Sequence, residues 1–128
     1  MIVDSSAIVA ILLQEPGYEA LIAKLAAAGV AAAGTPTLVE SALVLTARLG
    51  PSGRTFLDQF LQRFGLVEVP FSEQHWRVAV DAFERFGKGR HPAGLNFGDC
   101  MSYAVARVAN RPLLCIGNDF PRTDLPLA

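Results

Sequence analysis

Four of the chain's twelve acidic residues sit among apolar neighbours rather than on polar faces. Asp4 follows Met1-Ile2-Val3, and Glu40 lies within Leu38-Val39-Glu40-Ser41-Ala42-Leu43. Asp99 lies within Asn96-Phe97-Gly98-Asp99-Cys100-Met101, and Asp119 follows Leu113-Leu114-Cys115-Ile116-Gly117-Asn118. Each has an ordinary structural reading. Asp4 can cap a helix, Thr37-x-x-Glu40 and Asn96-x-x-Asp99 fit a capping box, and Asp119 can close an Asx turn. Taken together they point elsewhere. Two carboxylates about 5 Å apart repel by roughly 3 kcal/mol at an effective dielectric of 20. Four converging carboxylates need protons or a hard divalent cation, and only the cation leaves them ionised. All-oxygen ligands suit Mg²⁺, or Mn²⁺, rather than zinc. The two histidines, His75 and His91, form no metal-ligand spacing with each other or with the two cysteines. His75 reads as structural and His91 as a solvent-facing loop residue. GxxxxGK[ST], GxGxxG and GxSxG are absent, so neither a nucleotide loop nor a serine nucleophile elbow is indicated.

The surrounding elements place these acids. Met1 to Asp4 reads as a buried strand, with Ser5 and Ser6 opening a helix through Leu13. Pro16-Gly17 breaks it, and Tyr18 to Ala28 forms a second helix. Val30 to Ala33 is a weak strand, since alanine favours helix. Thr35-Pro36 starts a third helix running to Leu49. Phe56, Leu57, Phe60, Leu61 and Phe64 form the apolar stripe of a fourth, read as core. Leu66 to Val69 is a strand, Ser72 to Phe86 an amphipathic helix, and Gly87 to Asn96 a glycine-rich loop. Phe97 to Ala109 is the last helix and Leu113 to Ile116 the last strand. Continuous apolar strands alternating with helices predict an α/β fold, a central parallel sheet covered on both faces. In such sheets sites form beyond the carboxyl ends of strands. Asp4 and Asp119 follow strands, and Glu40 and Asp99 are expected in the first turns of their helices.

The chain's 128 residues, 52% hydrophobic and 18% charged, make one domain and exclude disorder. Two cysteines are too few for a disulfide scaffold. The longest apolar run, Ala7 to Leu13, falls short of the about 20 residues of a membrane span. No basic region precedes the first apolar residues, so a soluble, cytoplasmic protein is expected. The net charge of -1 becomes 11 - 8 = +3 once the four acids are set aside. A mildly basic frame therefore surrounds an acidic pocket.

Four segments together resemble the PIN-domain ribonucleases, specifically the VapC-type toxins of toxin–antitoxin pairs. They are Met1 to Ile8, Glu40 within the third helix, Gly87 to Cys100, and Pro112 to Phe120 followed by Thr123-Asp124. The resemblance implies a single PIN domain over residues 1–128 and a Mg²⁺- or Mn²⁺-dependent endoribonuclease. It implies that Asp4, Glu40, Asp99 and Asp119 form the metal-binding, catalytic quartet. Ser6 matches a small hydroxyl position beside the first acid, and Asp124 a supporting acid. Ser5 departs from the threonine of many relatives, a change expected to matter little. The family further implies a VapB-type antitoxin whose tail fills the toxin's groove, and toxin homodimers. Arg85, Lys88, Arg90 and Arg122 are candidate RNA contacts, with a solvated basic loop as the alternative. A non-catalytic PIN-like module that binds RNA or antitoxin is the rival reading. Phosphatases of the haloacid-dehalogenase type are disfavoured because Ser6 stands where they carry a second aspartate. Receiver domains need a late lysine, and Lys88 is the last lysine here.

Overall fold

The computed structural model describes residues 1–128. Four parallel strands, β1 (Ile2–Val3), β2 (Ala32–Gly34), β3 (Val67–Val69) and β4 (Leu113–Leu114), form a sheet in the order β3-β2-β1-β4. Six helices cover it: α1 (Ser5–Leu12), α2 (Tyr18–Ala27), α3 (Thr35–Leu49), α4 (Ser52–Phe64), α5 (Glu73–Phe86) and α6 (Phe97–Ala109). Adjacent strand residues point to opposite faces. Ile2, Ala32 and Leu113 accordingly join a core with α5 and α6. Val3, Ala33 and Leu114 join another with α1 to α4.

The alanine-rich segment is a central strand, and its small side chains have a packing reason. A Cβ on Gly34 would stand 2.7 Å from Val105 Cγ2, so α6 lies directly on β2. Close approach outweighs alanine's poor strand preference here. β4 is shorter than expected. Its ladder ends at Leu114, and the Ile116 amide instead donates to Ser6 Oγ at 3.0 Å. The sheet continues past β4 through the C-terminal tail, where Leu113 N donates to Pro126 O and Ala128 N to Leu113 O. In α4, Phe60 is buried but Phe56 is 45% exposed, so the aromatic stripe is only partly core. No helix is long and apolar enough to cross a membrane.

Because every strand runs the same way, β1, β2 and β4 deliver the chain to one edge. Asp4 leaves β1 there, α3 starts directly from β2, and the segment after β4 returns to it.

Candidate active site

Asp4 is the most enclosed acid, at 3% exposed. Its Oδ2 accepts from the Ser6 amide at 3.0 Å and from Ser6 Oγ at 2.6 Å, which caps α1. Its Oδ1 accepts from Ser102 Oγ of α6 at 2.5 Å. An ionised carboxylate offers about four lone-pair sites. Three are taken, and the free one lies on Oδ1.

Glu40 stands in the second turn of α3, not the first, and no capping box forms with Thr37. The cap of α3 is Gly34, and Thr37 is turned inward to Ser102. Glu40 Oε1 accepts from Ser5 Oγ at 2.8 Å. Its carboxylate lies flat against Gly98, where a Cβ would meet Oε2 at 2.5 Å. Glu40 reaches the N-terminus of α6 only because residue 98 lacks a side chain.

Asp99 does form its capping box. Its Oδ2 accepts from Asn96 N at 3.0 Å, and Asn96 Oδ1 from Asp99 N at 2.9 Å. Burial first, with smaller contributions from Asp4, Asp119 and Glu40, pushes the Asp99 carboxyl up to about 6 against the lowering bond from Asn96. Asp99 thus feels all three of the other acids. Asp119 is exposed and precedes a short 3-10 turn, Phe120–Arg122, which its side chain does not cap. No three His, Cys, Asp or Glu side chains are gathered into a ready ligand group. Hydroxyl and amide donors hold Asp4, Glu40 and Asp99 individually. The donor set is nonetheless all carboxylate oxygen, which fits Mg²⁺ or Mn²⁺. Burial holds the thiols of Cys100 and Cys115 up at about 11, so no thiolate nucleophile competes at the site.

Asp124 belongs to a different cluster. It accepts from Tyr103 Oη at 2.7 Å and Arg85 Nη2 at 3.1 Å, and pairs with Arg107. Burial alone would raise its carboxyl, but these three donors outweigh it and hold the group low. Asp124 fastens the C-terminal segment to α5 and α6. The basic candidates lie on the end of α5, in the glycine-rich loop and in the segment after β4. Lys88 is exposed, Arg85 stacks on Phe86 at 4.7 Å, and Arg90 on Phe83 at 5.5 Å. Arg122 Nη1 donates to Pro92 O at 3.1 Å, tying the glycine-rich loop to the segment after β4. His91 is half-buried rather than solvent-facing. Its Nδ1 accepts from Ala93 N, and its ring meets Phe86 edge-on.

Sequence reasoning missed Ser5, Thr37 and Ser102 as parts of the site. Ser5 read as a cap and as a harmless departure from the family's threonine, Thr37 read only as half of a capping box with Glu40, and Ser102 carries no motif. The one available signal was their spacing: Thr37 precedes Glu40 by three residues, and Ser102 follows Asp99 by three.

The PIN domain family model matches residues 1–125. The chain belongs to the PIN-domain family. Among the family's curated members it is 48% identical over 126 residues to Ribonuclease VapC36 of Mycobacterium tuberculosis, covering 98% of this chain and 91% of that protein. Its fold matches that of Mycobacterium tuberculosis VapC20, described as a Sarcin-Ricin loop cleaving toxin, with a TM-score of 0.81 at 17% identity. That match covers 99% of this chain and 97% of VapC20. VapBC2 from Rickettsia felis, solved bound to a DNA fragment from its promoter, matches with a TM-score of 0.79 at 18% identity, covering 99% and 96%. The expectation of a single PIN-like α/β domain of the VapC ribonuclease type agrees with these relatives.

Proposed function

We propose that this PIN-domain chain is a Mg²⁺- or Mn²⁺-dependent endoribonuclease, the toxin of a type II toxin–antitoxin pair in the cytoplasm. The observation that carries the reading is that three acids from separate parts of the chain lie close to a fourth: Glu40 packs against Gly98 beside Asp99, Ser102 of the same helix holds Asp4, and Asp4, Asp119 and Glu40 all add to burial in raising the Asp99 carboxyl. Asp4 through Oδ1, Asp99 through its uncapped oxygen, Glu40 through Oε2, and Asp119 would hold the cation. When bound, the cation neutralises charge on the scissile phosphate and makes water a better nucleophile at neutral pH. Glu40, fixed by Ser5, orients the attacking water. Water adds at phosphorus, the P–O3′ bond breaks, and its proton passes to the departing 3′ oxygen, leaving a 5′ phosphate. Lys88 and Arg90 at the loop rim, with Arg85 and Arg122 behind them, contact RNA phosphates.

Two partners complete the proposal. A VapB-type antitoxin follows from the VapBC organisation of the Rickettsia felis relative. A second copy of the chain is supported by an apolar surface. Phe97, 81% exposed, forms a ridge between two apolar grooves. One, of about 410 Å³, is lined by Trp76, Val80 and Phe83; the other, of about 380 Å³, by Val39 and Leu43. A two-fold interface requires a self-complementary patch, and a ridge beside apolar grooves has the shape to supply one.

Purified, antitoxin-free protein incubated with total RNA tests the activity, in Mg²⁺, in Mn²⁺ and in EDTA, beside Asp4→Asn. Discrete cuts that require both metal and Asp4 are expected. Cleavage surviving EDTA and Asp4→Asn overturns the metal mechanism. Tight RNA binding without cleavage under any metal points to the non-catalytic module instead.

A further inference from the structure

Thr37 and Ser102 are 2% and 0% exposed, and their hydroxyls lie 3.0 Å apart. Ser102 Oγ also reaches Asp4 Oδ1 at 2.5 Å. The direction of this chain of bonds follows from proton counting. A hydroxyl carries one proton, and an ionised Asp4 can only accept. Ser102 therefore donates to Asp4, and Thr37 must donate to Ser102. Both bonds point at the carboxylate, so Thr37 polarises Ser102 toward it.

The placement is as informative as the bonding. Thr37 lies one turn before Glu40 on α3, and Ser102 one turn after Asp99 on α6. Residues three apart share a helix face. The Thr37–Ser102 bond thus joins α3 to α6 one turn below the two carboxylates these helices carry. Ser102 then extends the connection to Asp4 at the end of β1. Three acids on three elements are indexed to one another through two buried hydroxyls. No backbone or turn requirement explains polar groups here, since neither caps its helix. Alanine and valine would fill the same space.

We propose that Ser102, backed by Thr37, is a positioning residue that sets the cation affinity of this site. It fixes the rotation of the Asp4 carboxylate and occupies one lone pair of Oδ1, so that the other faces the cluster. This rests on the metal-site reading above and goes beyond it by assigning residues that are not themselves ligands. Outer partners of metal ligands typically contribute 10–100-fold to affinity.

The test is direct Mn²⁺ binding, followed by electron paramagnetic resonance of free Mn²⁺ with wild type, Asp4→Asn, Ser102→Ala, Thr37→Val and the Ser102→Ala/Thr37→Val pair. RNA cleavage and metal-free melting are measured in parallel. Ser102→Ala is expected to weaken Mn²⁺ binding about 10–100-fold and lower kcat at subsaturating metal, with KM for RNA little changed. Thr37→Val, which keeps its volume, gives a smaller loss in the same direction. The pair loses no more affinity than Ser102→Ala alone, because Thr37 acts only through Ser102. Wild-type Mn²⁺ affinity in Ser102→Ala overturns the proposal, whatever happens to its melting temperature. Additive losses in the pair overturn the relay from Thr37. Failure of the metal reading looks different: wild type then binds no Mn²⁺, or Asp4→Asn binds it equally well.

Discussion

Replacing Gly98 by alanine should separate the activity of this protein from its stability. The added methyl would stand 2.5 Å from Glu40 Oε2, 2.7 Å from Oε1 and 2.8 Å from Cδ. Ordinary contact begins near 3.4 Å, so the carboxylate must retreat by about 1 Å, and misplacing a reacting group by that much costs on the order of 10²-fold. The obstacle is the tip of a flexible, half-buried side chain rather than backbone, so the fold can yield. Gly98 is also helical, with no positive φ, and alanine gains up to about 1 kcal/mol over glycine in a helix. The variant should unfold in urea at the wild-type midpoint or slightly above it, yet cleave RNA about 100-fold more slowly in saturating Mg²⁺. In a Glu40→Ala background the same change should have almost no effect on rate, since nothing remains to displace. A Gly98→Ala protein with wild-type activity would refute the assignment of Glu40 to the reaction. A further large loss of rate when Gly98→Ala is added to Glu40→Ala, with the fold intact, would show that the methyl acts on something other than Glu40.

Other outcomes follow from the same geometry. In EDTA, Asp99 should make stability fall as pH rises from about 4 to 6. Its carboxyl binds a proton more tightly folded, near 6, than unfolded, near 3.8, so the native state loses its advantage as the proton leaves. Because Asp99 is partly exposed, we expect about 1–2 kcal/mol rather than the full shift. Asp99→Asn should flatten that slope in urea titrations at several pH values; an unchanged slope would mean that other groups produce it. Asp124→Ala should lower the unfolding free energy by about 1–3 kcal/mol by leaving Tyr103 and Arg107 without their acceptor. It should leave Mn²⁺ affinity unchanged, and a loss of affinity would return Asp124 to the metal site. Val80→Glu places a charge in the groove beside Phe97 and should convert a dimer to a monomer in light scattering; an unchanged mass would remove this face as the contact between copies.

Most of the fold is legible in the chain because its strands are continuous apolar runs and its helices carry clear breaks at Pro16-Gly17, Gly50-Pro51 and Gly87. What escaped depended on distance in space. The alanines of β2 look helical until Val105 of α6 is placed against Gly34. The C-terminal tail pairs with β4 through backbone alone, and backbone pairing leaves little trace in side-chain pattern. Glu40 could be found because an acid in an apolar stretch is conspicuous, but its partner was not. Ser5 and Gly98 are common helix-start residues, and only the fold shows that one holds the Glu40 carboxylate and the other makes room for it. Thr37 and Ser102 were hidden for the same reason, since small buried hydroxyls occur in many cores.

The competing readings of the acids also turn out not to compete. Asp4 caps α1 and Asp99 closes a capping box on α6, as a purely structural account requires. A cap, however, uses one carboxylate oxygen and fixes the rotation of the other. Oδ2 of Asp4 is committed to Ser6, and Oδ2 of Asp99 to Asn96, so each acid keeps lone pairs on its remaining oxygen at a set angle. Both helices begin at the carboxyl edge of the sheet, so the edge that gathers helix N-termini also gathers oriented carboxylates. Helix N-termini favour negative charge, which partly offsets the cost of bringing the acids together before any cation binds. The raised pKa of Asp99 reflects burial first and the remaining repulsion from Asp4, Asp119 and Glu40 second, and a divalent cation would offset both. Capping and cation binding are thus successive uses of the same side chains.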